Sequence, residues 1–220
     1  MKKPLKLFTF LLMLIIAFTS CSKKIVDDDF DENLFYYYLG EKIYLKQLKD
    51  KIFLKFTSDT DKEKIQTIIN YSNLLQLIDG AYCDEGVWRF AALETKNGKH
   101  IPMETMKFFN ENKDVVSAKY LFFNKNSGFS LGLMDEFVVK FKATTSYEQL
   151  QELAEKYQCE VREQYWWLKE KPVPDYGTFC LFVSKTSELN AMQMANLFHE
   201  TGLFEFASPN MAVLNSASAM

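Results

Sequence analysis

The chain has 220 residues, of which 48% are hydrophobic and 25% are charged, and its formal net charge is -3. This balance is typical of a globular protein and excludes both a disordered polyelectrolyte and a protein that crosses a membrane several times. The 8 Gly and 5 Pro are too few for a collagen-like or low-complexity chain, and the 20 Phe and 11 Tyr must be buried in a core or presented to a partner.

Residues 1–20 have the pattern of a secretory signal peptide. Three lysines precede an apolar run over residues 7–18, which is shorter than a bilayer-spanning helix. The Ser20-Cys21 step that follows resembles the lipobox of bacterial lipoproteins, in which the cysteine is lipidated and becomes the mature N-terminus. We therefore expect lipidation at Cys21 and a location in the cell envelope, anchored to the outer membrane. An ordinary signal peptide with a chance cysteine is the alternative.

Residues 21–34 are predicted to form a solvated acidic tether, because Asp27, Asp28 and Asp29 follow the anchor in a segment without apolar periodicity. Such acidic clusters resemble the signals that send lipoproteins to the cell surface in Bacteroidetes-type bacteria. A spacer repelled by anionic headgroups is the alternative, so the leaflet stays open. Residues 1–20 carry lysines but no acidic side chain, so the mature chain is more acidic than the whole, and we expect no nucleic-acid partner.

Three cysteines remain once Cys21 is committed to lipid: Cys83, Cys159 and Cys180. An odd number in an oxidising compartment permits at most one disulfide, and whether Cys159 and Cys180 pair stays open. The spacing contains no CxxC pair, and the two histidines lie far apart in the sequence. We expect no metal site and no cofactor.

A strand pattern of Asp, an apolar run, Lys and Phe occurs twice, at residues 50–56 and 135–141, and so at an offset of 85 positions. The match continues without a gap: Thr60 aligns with Thr145, and apolar positions follow at helical spacing in both copies. This pattern indicates an internal duplication, with convergence of two strand-helix units as the alternative. We divide the chain after residue 134.

The second copy, residues 135–212, is predicted to have the order β-α-β-β-α-β, the ferredoxin-like arrangement of four antiparallel strands with both helices on one face. Ser146 with Gln149 has the pattern of a capping box at the first helix. The predicted elements are strands at 137–141, 160–168, 178–184 and 204–206, and helices at 146–157 and 187–202.

The first copy, residues 35–134, fits the same order less cleanly. Its predicted elements are strands at 51–56, 87–94, 119–123 and 129–133, and helices at 61–78 and 102–110. A β-hairpin over 35–45, with Gly40-Glu41 as a type II′ turn, precedes it and is expected to edge the first sheet. The predicted fold class is therefore α+β, with two tandem ferredoxin-like modules behind an N-terminal hairpin.

The hairpin and the strand behind it look like the start of secreted subtilisin-like serine peptidases from Bacteroidales. The stretch 197–210, LFHETGLFEFASPN, resembles the last helix and strand of their N-terminal prodomain. The resemblance covers roughly residues 35–212 and implies a module that helps its peptidase fold and then inhibits it. No Asp, His and Ser motifs of a catalytic domain accompany it, so we expect no enzyme and no catalytic residue.

The expected function is that of a stand-alone prodomain-like lipoprotein that inhibits a subtilisin-like serine peptidase, or assists its folding, in trans. The sheet would dock on the peptidase, and an extended tail at residues 213–220 would enter its cleft. The candidate partner-binding residues are Trp166, Trp167, Phe206, Pro209, Asn210, Ala217, Ala219 and Met220. The alternatives are a cell-surface binding or adhesion lipoprotein and the relic of an interrupted peptidase gene.

Overall fold

The computed structural model describes residues 31–84, 89–162 and 177–214. Within these ranges the chain forms ten strands and four helices. In chain order they are β1 (Phe35–Tyr38), β2 (Glu41–Tyr44), β3 (Lys46–Phe56), α1 (Lys62–Ile69), β4 (Leu75–Cys83), β5 (Phe90–Thr95), α2 (Met103–Glu111), β6 (Val115–Asn124), β7 (Phe129–Phe141), α3 (Tyr147–Lys156), β8 (Cys159–Arg162), β9 (Thr178–Val183), α4 (Ala191–Glu200) and β10 (Phe204–Leu214).

Eight strands form one curled antiparallel sheet, in the order β4-β5-β3-β6-β7-β9-β8, with β10 paired to β7. Leu131 of β7 pairs with Phe122 of β6 and also with Val213 of β10, so β10 lies on the edge of β7 opposite β6. The α+β class with antiparallel pairing is confirmed. The predicted division after residue 134 falls inside β7, which runs unbroken for 13 residues.

Side chains alternate between the two faces of the sheet, and this alternation creates separate cores. On β3, Ile52 and Leu54 face α1 and α2. On β7, Phe137 and Val139 face α3 and α4. A third core lies on the other face of the first half, where Phe53 of β3 packs with residues of β4, β5, β6, β7 and β10.

The junctions between strand and helix are built in the same way in both halves. Two backbone hydrogen bonds of the first half each have a counterpart whose amide donor lies 85 positions later. Phe56 N donates to Arg89 O as Phe141 N donates to Gly177 O, and Thr57 N donates to Asp114 O as Lys142 N donates to Leu203 O.

Thr60 and Thr145, which the repeat aligns, form equivalent hydrogen bonds at these junctions. The hydroxyl of Thr60 donates to the carbonyl of Asp114, just before β6, and that of Thr145 donates to the carbonyl of Leu203, just before β10. Ser146 and Gln149 form the predicted capping box at the start of α3. The repeated sequence pattern therefore corresponds to a repeated local structure.

The predicted helix over 61–78 is wrong in its second part. The helix ends at Ile69, because the backbone N–H of Asn70 turns back onto the carbonyls of Gln66 and Ile68. Residues from Leu75 onward belong to β4 and pair with β5. The spacing of apolar residues after Leu75 is compatible with either a helix or a strand. Pairing with β5 makes this segment a strand.

The predicted last strand is also longer than expected. It begins at Phe204 but continues through Pro209 to Leu214, pairing with β7 along its length. Pro209 has no N–H to donate, and the register shifts between Pro209 and Met211, so a bulge accommodates it. Val213 and Leu214, predicted to begin an extended tail, therefore lie in the sheet.

The N-terminal hairpin does not use the predicted turn. Tyr38 pairs with Glu41, so Leu39 and Gly40 form the two-residue loop. Their φ angles are 50° and 82°, and two consecutive positive values are typical of a type I′ turn instead of type II′. The turn therefore lies one residue earlier than the sequence suggests.

The prediction that the hairpin edges the first sheet is wrong, because the hairpin lies against the second half. The ring of Tyr37 stacks on His199 of α4 with ring centroids 4.1 Å apart, and its hydroxyl donates to Glu200 over 3.0 Å. The side-chain amide of Asn196 donates to the carbonyl of Phe35 over 2.7 Å. The hairpin thus covers α4 as a separate two-stranded sheet.

Close packing of Phe53 on Gly132 brings β3 and β7 together. A Cβ atom built on Gly132 would lie 2.3 Å from the Phe53 ring. Glycine is therefore required by space at this position, and the contact sets how closely the two halves approach each other.

Replacing Gly132 with Ala should lower the free energy of unfolding by about 1–3 kcal/mol, because the new methyl group overlaps the buried ring. Urea denaturation checks this value. Adding Phe53→Leu should recover part of the loss, which a double-mutant cycle would show as a coupling energy. An alanine variant as stable as the wild type would contradict the close packing.

Candidate functional site

The second half has a sheet face that none of the described helices covers. Alternate residues of β7 and β9 enter the core beside α3 and α4, so the residues between them point to the opposite side. Phe182 and Val138 on this side belong to none of the hydrophobic cores, and Phe206 of β10 is 38% exposed. This helix-free surface, which we call the open face, consists of Glu136, Val138, Lys140, Glu160, Arg162, Cys180, Phe182, Phe206, Ser208 and Asn210.

Glu136 lies at the centre of the open face and links three strands. Its carboxylate is 3.2 Å from the ammonium of Lys55 and 3.9 Å from the guanidinium of Arg162. It also accepts a hydrogen bond from the side-chain amide of Asn210 over 3.4 Å. The guanidinium of Arg162 lies 4.0 Å from the centre of the Phe182 ring, within cation–π distance. The face therefore presents partly paired charges beside aromatic surface, a composition suited to a protein partner.

Within the part of the chain that the structure describes, the first half has no comparable surface. Its helix-free side carries Phe53, Leu121 and Met134, all of which are buried. The end of β10 covers them, with Leu214 packed into the same core. Among the described residues, one helix-free sheet face therefore stays outside the three cores, in the second half, although Cys180 on it is only 6% exposed.

The structure brings two of the predicted partner-binding residues together and separates a third. Phe206 and Asn210 both lie on the open face, although Asn210 is half-buried and bonded to Glu136. Pro209 pairs with Phe137 and is buried, so it does not belong to this surface. The bulge after Pro209 explains why neighbouring residues of β10 separate in this way.

The remaining predicted site residues lie outside the described part of the chain. They are Cys21, Trp166, Trp167, Ala217, Ala219 and Met220.

Two oppositely charged residues are buried where the two halves meet. Lys55 of β3 is 7% exposed and Asp135 of β7 is 3% exposed, and the ammonium of Lys55 donates to Oδ1 of Asp135. Lys55 aligns with Lys140 in the repeat, and the aligned pattern does not show that only one of the two lysines is buried. Lys140 pairs with Glu205 over 2.6 Å at the surface. The available signal was the position of Lys55 and Asp135 within otherwise apolar strands, where a charge requires a partner.

A second lysine, Lys119 of β6, lies close to this pair. The pKa of Lys119 is lowered to about 8, mainly by burial; the charge of Asp135 opposes this shift, and the positive charge of Lys55 adds to it. The ammonium of Lys119 lies 3.5 Å from the carbonyl of Met134. The seam between the halves thus holds two cations around one buried carboxylate.

Cys159 and Cys180 are not disulfide-bonded in this structure. Cys159 pairs with Val183 and Cys180 with Arg162, so the two cysteines are three positions out of register along β9. At ~3.3 Å per residue, the offset is on the order of 10 Å, beyond the reach of a disulfide. The open question about this pair is answered by the register.

Within residues 31–84, 89–162 and 177–214, no group of three or more His, Cys, Asp or Glu side chains is arranged to hold a metal ion. None of the helices in these ranges combines the length and the hydropathy needed to span a bilayer.

Replacing Lys55 with Met should destabilise the fold by about 3–5 kcal/mol, because Asp135 would keep a buried charge without its partner. The matched control is Lys51→Met, four positions earlier on β3. Lys51 pairs with Glu94 over 2.9 Å, but both side chains are about a quarter exposed, so we expect a loss of about 1 kcal/mol or less. Equal losses in chemical denaturation would contradict the importance of the buried pair.

The thiol of Cys159 should react slowly in the folded protein, because burial raises its pKa to about 11. At mildly alkaline pH the thiolate fraction should be roughly 100-fold below that of an ordinary cysteine. Timed alkylation followed by peptide mass spectrometry measures the rate, and unfolding in urea should restore it. Rapid labelling of Cys159 in the native chain would contradict this prediction.

Comparison with protein-family models, with curated proteins and with solved structures finds no match for this chain.

Proposed function

We propose that this chain is a stand-alone, prodomain-like lipoprotein that inhibits a subtilisin-like serine peptidase, or assists its folding, in trans. The observation that carries the proposal is the open face of the second half, a sheet surface with exposed Phe206 and a central Glu136. The resemblance of residues 35–212 to peptidase prodomains names the class of partner. Anchoring through Cys21 to the outer membrane is part of the same proposal.

The proposal includes a ferredoxin-like fold for each half. In the second half the strands lie in the order β10-β7-β9-β8, with α3 between β7 and β8 and α4 between β9 and β10 along the chain. In the first half the order is β6-β3-β5-β4, with α1 and α2 in the corresponding positions. Both orders agree with that of a split βαβ unit, with the fourth strand beside the first.

The open face would dock on the peptidase by packing its aromatic centre and pairing its charges. Phe206 and Phe182 supply apolar area, and Arg162 is able to leave its long 3.9 Å contact with Glu136 for a carboxylate of the partner. Trp166 and Trp167 belong to the segment joining β8 and β9, two strands of this face, and are proposed to extend it.

The inserted segment must be shorter than the sequence suggests. Residues up to Leu214 are held in β10 by pairing with β7, so they are not available to enter a cleft. We propose that residues 215–220 provide the extended strand. Ala217 and Ala219, as alternate residues, would enter side-chain pockets of the cleft, and Met220 would enter the main specificity pocket. The mechanism is steric: the segment occupies the substrate cleft and contributes no catalytic group.

A second candidate function, an adhesion or binding lipoprotein, is favoured by the exposed tip of the N-terminal hairpin. Tyr38, Leu39 and Tyr44 are 58%, 86% and 45% exposed. Tyr38 and Leu39 lie at the turn, whereas Tyr44 pairs with Phe35 at the other end of the hairpin. The exposed side chains at the turn would form a contact for a peptide, a glycan or a neighbouring subunit. This surface lies on a different element from the open face, so the two functions make different predictions.

The test is a titration of subtilisin-like peptidases from the same cell envelope with the purified chain. We expect inhibition at stoichiometric amounts. Phe206→Glu should weaken inhibition about 10-fold or more, because it places a charge in the docking surface. A chain that ends at Leu214 should also inhibit less. The matched control is Tyr38→Glu, which alters the exposed hairpin tip and should leave inhibition unchanged.

Absence of inhibition and of binding by the unmodified chain would refute the peptidase proposal. Loss of partner binding in the Tyr38 variant, with the Phe206 variant unaffected, would support the hairpin as the binding surface.

A further inference from the structure

The sheet separates at the seam between the two halves. On one edge of β7, residues 129–131 pair with β6 and residues 136–140 pair with β9. The short stretch between them, Gly132–Asp135, has no strand partner on that edge among the described residues. A cavity of about 180 Å³ lies beside this gap, lined by β6, by the loop after β9 and by the first turn of α4. At ~30 Å³ for each water, it has room for several molecules.

Two ammonium groups line the cavity. Lys119 contacts the carbonyl of Met134 over 3.5 Å, and Lys185 donates to the carbonyl of Val115 over 2.8 Å. In the described part of the chain, neither forms an ion pair with a carboxylate. Both ammonium groups donate to neutral carbonyls, and the carboxylates of Asp135 and Glu188 also line the cavity. Neither lysine is held by a short carboxylate contact among the described residues, so both are able to donate to an anion that enters the cavity.

Two buried polar atoms at the cavity lack hydrogen-bond partners within the described structure. They are Oγ of Ser117 and Oδ2 of Asp135, in side chains that are 7% and 3% exposed. Both residues line the cavity. The hydroxyl is able to donate, whereas the carboxylate oxygen only accepts. Because a buried group without a partner is costly, these atoms point to a ligand that accepts one hydrogen bond and donates another.

Further donors come from the start of α4. Asn190 and Gln193 form a capping box through their side-chain oxygens, which accept from backbone N–H groups. Their amide nitrogens therefore remain as donors, and both residues line the cavity. The amino end of the helix adds a favourable field for an anion.

We propose that this cavity binds inorganic phosphate, held as an ion that keeps at least one proton. Lys119, Lys185 and Ser117 donate to its oxygens, and Oδ2 of Asp135 accepts from its hydroxyl. Sulfate carries no proton at neutral pH, so it would place a bare oxygen against the carboxylate. The carboxylate therefore acts as the selective element. A phosphate monoester is mostly a dianion at neutral pH, since its second pKa is about 6, and should also bind less well.

The low pKa of Lys119 agrees with this assignment. Burial is the main cause that lowers this pKa to about 8, only partly opposed by Asp135, and a bound anion would add a second negative charge beside the ammonium group. The site is separate from the open face and does not rest on the proposed peptidase partner.

The test is calorimetric titration of the full chain at neutral pH and constant ionic strength, with phosphate, arsenate, sulfate and chloride. Arsenate keeps its proton as phosphate does, so both should bind at least 10-fold more tightly than sulfate, and chloride should not compete. Glycerol phosphate tests the ester. The thermal unfolding midpoint should rise with phosphate concentration.

The variants separate binding from folding. Lys185→Met changes an exposed loop residue, and Lys119→Met replaces a half-buried cation that forms no ion pair among the described residues, so both chains should fold. Each should weaken phosphate binding about 10-fold or more. Asp135→Asn should reduce the preference for phosphate over sulfate, because an amide donates to either ion. The control is Lys62→Met, on exposed α1, which should bind phosphate normally.

Equal binding of phosphate and sulfate by the unmodified chain would overturn the proposal. So would phosphate binding that the Lys119 and Lys185 variants retain in full. Should the Asp135 variant fail to fold, the comparison of phosphate with sulfate on the unmodified chain still decides the role of the carboxylate.

Discussion

The structure depends on how β3 and β7 meet, because these strands come from the two halves and no short connection joins them. Phe53 closes one contact by packing on Gly132, where there is no room for a Cβ atom. The ion pair of Lys55 and Asp135 closes the next, in an environment almost without solvent. The packed ring limits the distance between β3 and β7, and the buried ion pair limits how these two strands are placed relative to each other, since another placement would leave a charge without its partner.

This junction makes the two halves unequal although they share a local design. In the first half, β10 and β4 cover the helix-free side around Phe53, and that side becomes a core. In the second half nothing described covers the corresponding side, and Glu136 organises it by contacting Lys55, Arg162 and Asn210. Two halves with the same strand order thus have one covered and one open sheet face among the described residues, and the open face is the surface that we propose for partner binding.

The same junction produces the cavity. Because β6 leaves β7 after residue 131 and β9 joins it only at residue 136, a curled sheet has to open between them. The side chains at this opening include Lys119, Ser117 and Asp135, all of which are polar. An apolar lining would have closed the gap by packing, whereas polar groups require water or a ligand. The open face, proposed for partner docking, and the cavity, proposed for phosphate binding, therefore both result from the same strand arrangement.

Local sequence determined the elements whose stability is local. The capping box at Ser146, the strand-helix repeat and the core positions of the second half follow from spacing and residue type, because they depend on neighbours within a few turns. Tertiary structure decided the rest. Leu75 joined a strand because β5 was available to pair with it, and Pro209 became buried because β7 continued beside it. The hairpin lies on α4, where Tyr37 stacks on His199. Lys55 is buried and Lys140 is not because Lys55 pairs with Asp135, a residue 80 positions away in the sequence. These contacts join residues that are far apart in the sequence, so local sequence patterns do not predict them.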